Sequence, residues 1–204
     1  MTELIEKTVC FTGHREIPFL RLFTVKQKLK KTVEVLINQG YCYFGAGGAL
    51  GFDTLAARIV LDLRKTHSQV KLILVLPCKS QADRWSYSDK EVYESIKEQA
   101  DKVVYTSEEY TKGCMFKRNR YLVDKSSVCV CYLDKDTGGT AYTVNYAYKK
   151  GVKIINLAKK VGAYHSSHSQ VLFRRVNHST NLYDIIRKDK LFVNMTREKS
   201  RNLF

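Results

Sequence analysis

The chain has 204 residues, 44% hydrophobic and 27% charged, proportions that fit a folded domain with a true core and exclude wholesale disorder. Its 35 Lys and Arg against 20 Asp and Glu leave a net charge of +15. That excess draws a protein toward phosphate-rich partners such as nucleic acid, nucleotides or an anionic surface, or serves solubility alone. No uncharged apolar run approaches the ~18–20 residues of a membrane helix, and the opening MTELIEK lacks the apolar centre of a signal peptide.

The spacing predicts a first strand over Thr8–Thr12, ending at Gly13. Leu22, Val25, Leu29, Val33, Leu36 and Ile37 then fall on one helical stripe, which Gly40 ends. Tyr41–Phe44 is a second strand, followed by a glycine cluster and a helix over 52–63. Leu72–Leu76 is an apolar strand stopped by Pro77, and 89–100 an amphipathic helix. Lys102–Tyr105, Val128–Leu133 and Val152–Leu157 complete the strands, with helices over 114–125 and 139–149 between them. Continuous apolar strands alternating with helices predict an α/β fold: a Rossmann-like, doubly wound, mostly parallel sheet of about six strands, with helices on both faces.

Two domains of the chain are expected: a ligand-binding core over 1–158 and a basic, partly helical extension over 159–204. The extension holds ten Lys and Arg against three Asp and Glu, a denser excess than the core carries. It is a candidate surface for nucleic acid or an acidic protein partner. Six cysteines stand at 10, 42, 78, 114, 129 and 131, without a CxxC pair. Five lie in or beside apolar segments, as small buried hydrophobes in a reducing cytoplasm would. Cys129 and Cys131 share a strand face, but no His or further Cys stands at ligand spacing, so no metal is expected.

Ligands on such sheets bind at the carboxyl ends of the strands. Those ends carry Gly13-His14-Arg15, the run GAGGALGFD over 45–53, the loop KSQADRWSYSD after Pro77-Cys78, the stretch CMFKRNR over 114–120, and DKDTGGT over 134–140. Glycine there permits tight turns and close backbone approach to an anion at a helix start. Neither standard phosphate motif is present. A dinucleotide fingerprint needs a glycine at Leu50, and a P-loop needs Lys-Ser/Thr after Gly51. Arg15 suits a phosphate clamp or a salt bridge. His14 suits a ligand contact or a cap. Asp53 suits a ribose hydroxyl or the dipole of the helix it begins. Trp85 suits a loop anchor or a stacking surface.

Thr12-Gly13-His14-Arg15, the Gly45–Asp53 cluster, Pro77 with Gln81, Trp85 and Asp89, the run YTKGCMFKRNRYLVD over 110–124, and Gly138-Gly139-Thr140 together resemble the SLOG superfamily. The likeness is to its YpsA/YoqJ-like branch of small bacterial and phage proteins, and it runs from about residue 8 to 158. The resemblance implies a nucleotide or nucleotide-derived ligand. Gly13 and Arg15 would flank its phosphate. Gly47, Gly48, Gly51 and Asp53 would hold ribose or phosphate. Arg118 and Asn119 would reach in, and Gly138-Gly139-Thr140 would form a second anion turn. The superfamily's LOG-type hydrolases carry a glutamate where Thr143 stands here, and a threonine cannot act as that acid or base. Asp53, Asp83 and Asp89 remain as other carboxylates. A homo-oligomeric, cofactor-free ligand sensor is therefore expected. Single-stranded nucleic-acid binding of the kind found in DprA/Smf and N-glycosidic hydrolysis are the alternatives.

Overall fold

The computed structural model describes residues 2–158. The extension expected over 159–204 lies outside the described residues. Six strands form one all-parallel sheet in the order β4-β3-β2-β1-β5-β6. They are β1 (Thr8–Gly13), β2 (Tyr43–Ala46), β3 (Lys71–Leu76), β4 (Lys102–Tyr105), β5 (Val128–Tyr132) and β6 (Lys153–Asn156). The helices are α1 (Thr2–Glu6), α2 (Phe19–Asn38), α3 (Phe52–Arg64), α4 (Tyr87–Gln99), α5 (Cys114–Asp124) and α6 (Gly138–Lys149). The fold is the Rossmann-like α/β architecture that the strand pattern predicts. No described helix is long and apolar enough to cross a membrane.

Period-2 alternation assigns each strand side chain to a layer. Val9 and Phe11 of β1, Leu72, Leu74 and Leu76 of β3, and Val128, Val130 and Tyr132 of β5 join the core under α2, α3 and α4. Cys10, Val75, Cys129 and Cys131 point the other way, into a smaller core with Leu122 and Val123 of α5 and Val144 and Ala147 of α6. Phe11 stacks on Phe44 across the β1–β2 pair at 6.2 Å. The cysteines at 10, 78, 114, 129 and 131 are buried and Cys42 is half-buried.

Besides shifts of one or two residues at other ends, three departures from the sequence expectation stand out. The short helix α1 precedes the sheet, stapled by Lys7 to Glu3 at 3.0 Å; five residues are too few to display a helical period. Helix α2 begins three residues early, at Phe19, because Pro18 is preset for a helix entry and its carbonyl accepts from Arg21 and Leu22. Strand β2 is displaced to Tyr43–Ala46, so Gly45 lies within it, pairing with Cys10 and Ile73. A Cβ at Gly45 would stand 2.9 Å from Leu122. The missing side chain lets α5 settle onto the strand, and this glycine serves helix packing under the sheet.

Asp101 ties the β3–β4 edge together. It accepts from the Leu72 N–H at 2.8 Å and pairs with Arg64 at 2.9 Å and Lys71 at 3.1 Å. Burial works to raise its carboxyl, but these three donors hold it below the ordinary carboxylate range. A depressed folded-state value stabilises above the unfolded value, and that contribution is lost as pH falls through the folded one. Asp101→Asn therefore lowers the melting temperature at pH 7 by the equivalent of ~1–2 kcal/mol. The gap to wild type closes as the medium is acidified below about pH 4. A pH series of thermal melts checks this; a constant gap down to pH 3 contradicts it.

Candidate functional site

In this strand order β1 and β5 are neighbours, yet the chain travels outward from β1 through β2 and β3 to β4 before crossing back. The crevice at their carboxyl ends is the switch point where such sheets bind ligands. Gly13-His14-Arg15 leaves β1 there, and residues 133–137 leave β5 toward α6.

Aromatic packing sets the floor. A Cβ at Gly13 would lie 2.4 Å from the Phe52 ring, so only glycine admits that ring over the end of β1. Phe52 in turn stacks on Tyr132 at the end of β5, with centroids 6.1 Å apart. His14 meets the same tyrosine edge-on. The imidazole Nε2 of His14 accepts from the backbone N–H groups of Asp134 and Lys135 at 3.1 and 3.2 Å. With Nε2 as acceptor, the neutral ring carries its proton on Nδ1. Arg21 of α2 pairs with Asp134 through two contacts of 2.9 and 3.0 Å. The β5–α6 loop is thus gripped from both sides by residues that follow β1.

The glycine loop is clamped from beneath. Arg118 of α5 and Asp53 of α3 are both buried, with Nη1 and Oδ2 3.7 Å apart. Arg118 Nη1 donates a short hydrogen bond to the Gly47 carbonyl. Asp53 accepts from the N–H groups of Ala49 and Gly47; burial pushes its carboxyl up, and Arg118 with those two donors pulls it back. Gln81 Nε2 donates to the Gly48 carbonyl at 2.6 Å. A Cβ at Gly47 would overlap the Arg118 guanidinium. Gly51, at φ +79°, presses its backbone onto the Arg15 carbonyl, where a Cβ would stand 1.9 Å away. Asp53, Gln81 and Arg118, expected as ligand contacts, are buried and hold the glycine loop.

The second anion turn is open. Gly138, at φ +85°, and Gly139 have no atom within 4 Å of the position a Cβ would take. Thr137 provides no side-chain cap, so the first N–H groups of α6 have no side-chain acceptor among the described residues. Thr140 is buried beside them. Asn119 Nδ2 donates to Thr143 Oγ1 at 2.8 Å, and that hydroxyl donates to the Gly139 carbonyl at 2.7 Å. Thr143 therefore tethers α5 to the start of α6. The arrangement offers oxyanion donors and no general acid at that point.

The other candidates stand elsewhere. Trp85 packs edge-on against Tyr93 at 5.3 Å and anchors its loop to the core. Asp89 closes the first turn of α4, where Ser86 Oγ donates to its carboxylate at 2.7 Å and accepts from its N–H. Asp83 is exposed. Arg15 is exposed, and no described side chain pairs with it. Sequence reasoning missed Phe52, Tyr132, Arg21 and Asp134. Their contacts exist only because β1 adjoins β5, which no local pattern encodes.

Gly51→Ala should cost more than about 1–2 kcal/mol, through both positive φ and the Arg15 carbonyl. Gly139→Ala, facing open space, should stay within ~0.5 kcal/mol of wild type. Chemical denaturation of both variants checks the contrast, and equal midpoints contradict this account of the loop.

Comparison with known proteins identifies the family. Residues 10–159 match the YpsA family model, described as the YspA SLOG family. An uncharacterized SPbeta prophage-derived protein, YoqJ, of Bacillus subtilis is 33% identical over 141 residues, covering 63% of this chain and 82% of that protein. A UPF0398 protein of Bacillus thuringiensis is 27% identical over 196 residues, covering 90% of this chain and 97% of that one. Among solved structures, DNA processing protein A of Streptococcus pneumoniae superposes with a TM-score of 0.55 at 18% identity, over 83% of this chain and 54% of that one, about half its length. DNA processing protein A of Helicobacter pylori, described for its single-stranded DNA binding mode, superposes at 0.54 and 18% identity over 97% of this chain and 82% of that one. The chain belongs to the YpsA SLOG family.

Proposed function

We propose that this protein binds a small phosphate-bearing nucleotide derivative in the β1–β5 crevice and works as a ligand sensor. The observation that carries the reading is the open start of α6. A helix N-terminus without a cap from Thr137, with free space at Gly138-Gly139, lies on the same sheet edge as the exposed guanidinium of Arg15, which has no side-chain partner among the described residues. Backbone N–H groups and a guanidinium together form an oxyanion receptor. The glycine loop, held by Asp53, Gln81 and Arg118, supplies a rigid wall for the ribose. A regulator rather than a hydrolase is favoured because Thr143 is committed to Asn119 and Gly139, while Asp53 and Asp89 are committed to the loop and the α4 cap.

Calorimetric titration with nucleoside mono- and diphosphates, ADP-ribose and cyclic nucleotides tests this. One class should bind, and Arg15→Ala should weaken it about tenfold or more, as loss of a charge-assisted contact does. The ligand should be recovered unchanged by mass spectrometry. No heat from any member, or full affinity in Arg15→Ala, overturns the reading. A second reading, a single-stranded nucleic-acid partner, is supported by the net charge of +15 and by the fold likeness to the Helicobacter pylori protein.

A further inference from the structure

Helix α2 buries Val25, Leu29, Thr32, Val33, Leu36 and Ile37 against the sheet. Its first turns carry large apolar side chains that this core does not use. Phe19 is 87% exposed, Leu20 91% and Phe23 72%. Scattered exposed apolar residues are ordinary, but two phenylalanines one turn apart and this bare are not. At 100° per residue, Phe19, Phe23, Lys26 and Lys30 fall within an arc of about 60°, along a line about 16 Å long. The line starts at the carboxyl edge of the sheet. Lys26 and Lys30 are exposed. Among the described residues Lys30 has a 4.0 Å contact to Glu34, and the Asp62 carboxylate of α3 beside them is already bonded to Lys65 at 2.8 Å. The whole helix holds Arg21, Lys26, Lys28, Lys30 and Lys31 against the single acid Glu34.

We propose that this stripe of α2 is a docking track for single-stranded nucleic acid. Bases would stack on Phe19 and Phe23, and the phosphate backbone would run along Lys26 and Lys30. The proposal rests on the second reading above, the nucleic-acid partner, and not on the crevice. Aromatic faces give sequence-tolerant stacking and lysines give phosphate attraction, the combination that single strands require. Two other occupants fit less well. A second copy would bring the exposed Lys26 and Lys30 of its own α2 against these. A lipid surface needs one continuous apolar helix face flanked by cations, and here the continuous apolar face is committed to the core while the lysines continue the line of the phenylalanines.

The test is fluorescence anisotropy of the full chain with a labelled oligo-dT at two salt concentrations. Wild type should bind, and more weakly at the higher salt. Phe19→Ala/Phe23→Ala should weaken binding about 30-fold or more. Phe19→Leu/Phe23→Leu, which keeps the apolar surface but removes the ring faces, should lose as much. Lys26→Gln/Lys30→Gln should flatten the slope of log affinity against log salt by about 1.4. All three variants should melt like wild type, because these side chains are exposed, and Arg15→Ala should leave oligonucleotide affinity unchanged. No binding by wild type overturns both the nucleic-acid reading and the track. Binding that the phenylalanine variants leave intact, or that the leucine variant rescues, overturns the track alone. A dimer of wild type that Phe19→Ala/Phe23→Ala makes monomeric, or binding to anionic phosphatidylserine vesicles in place of the oligonucleotide, assigns the stripe elsewhere and overturns it too.

Discussion

The buried pair of Asp53 and Arg118 is the constraint on which the site depends. A guanidinium and a carboxylate removed from water are tolerable only when each is compensated. Here the compensation is the glycine loop itself: Arg118 takes the Gly47 carbonyl, and Asp53 takes the N–H groups of Gly47 and Ala49. The pair cannot relax without releasing the loop, and the loop cannot move without leaving a buried charge unmatched. Two helices from opposite faces of the sheet thereby fix one turn of backbone at the carboxyl edge.

From that turn the order spreads across the switch point by contact. Gly51 abuts Arg15, Phe52 fills the space over Gly13 and stacks on Tyr132, and His14 with Arg21 holds the loop after β5. Three strand ends become one rigid rim. Among the described residues the parts left without side-chain partners are the Arg15 guanidinium and the start of α6, and both suit an anion. Contacts of this kind hold the strand ends in place without using the exposed groups of the rim.

Much of this was legible in the residues. Apolar runs alternating with helical stripes implied a parallel sheet, and glycines at the strand ends implied the binding edge. Asp53 and Arg118 were legible as important but not as buried. A carboxylate in a first helical turn and an arginine in a basic helix look the same whether they face solvent or a loop carbonyl. Gly45 looked like part of the loop because a glycine run conceals where a strand ends. Asp89 was legible as a carboxylate near the predicted pocket, whereas Ser86 three residues earlier marked it as part of a cap.

By itself the sequence determined the alternation of strands and helices, the family likeness and the glycines at the strand ends, because periodicity, glycine placement and residue identity are local properties. Only the tertiary structure decided which charges are spent internally and which face outward. That division depends on strand order, which brings β1 beside β5 across more than a hundred residues of chain. The part of the +15 excess that the described residues carry resolves accordingly. Arg118 is consumed in the core, Arg21 and Arg64 in bridges, and Arg15, Lys26 and Lys30 remain at the surface, where anions can reach them.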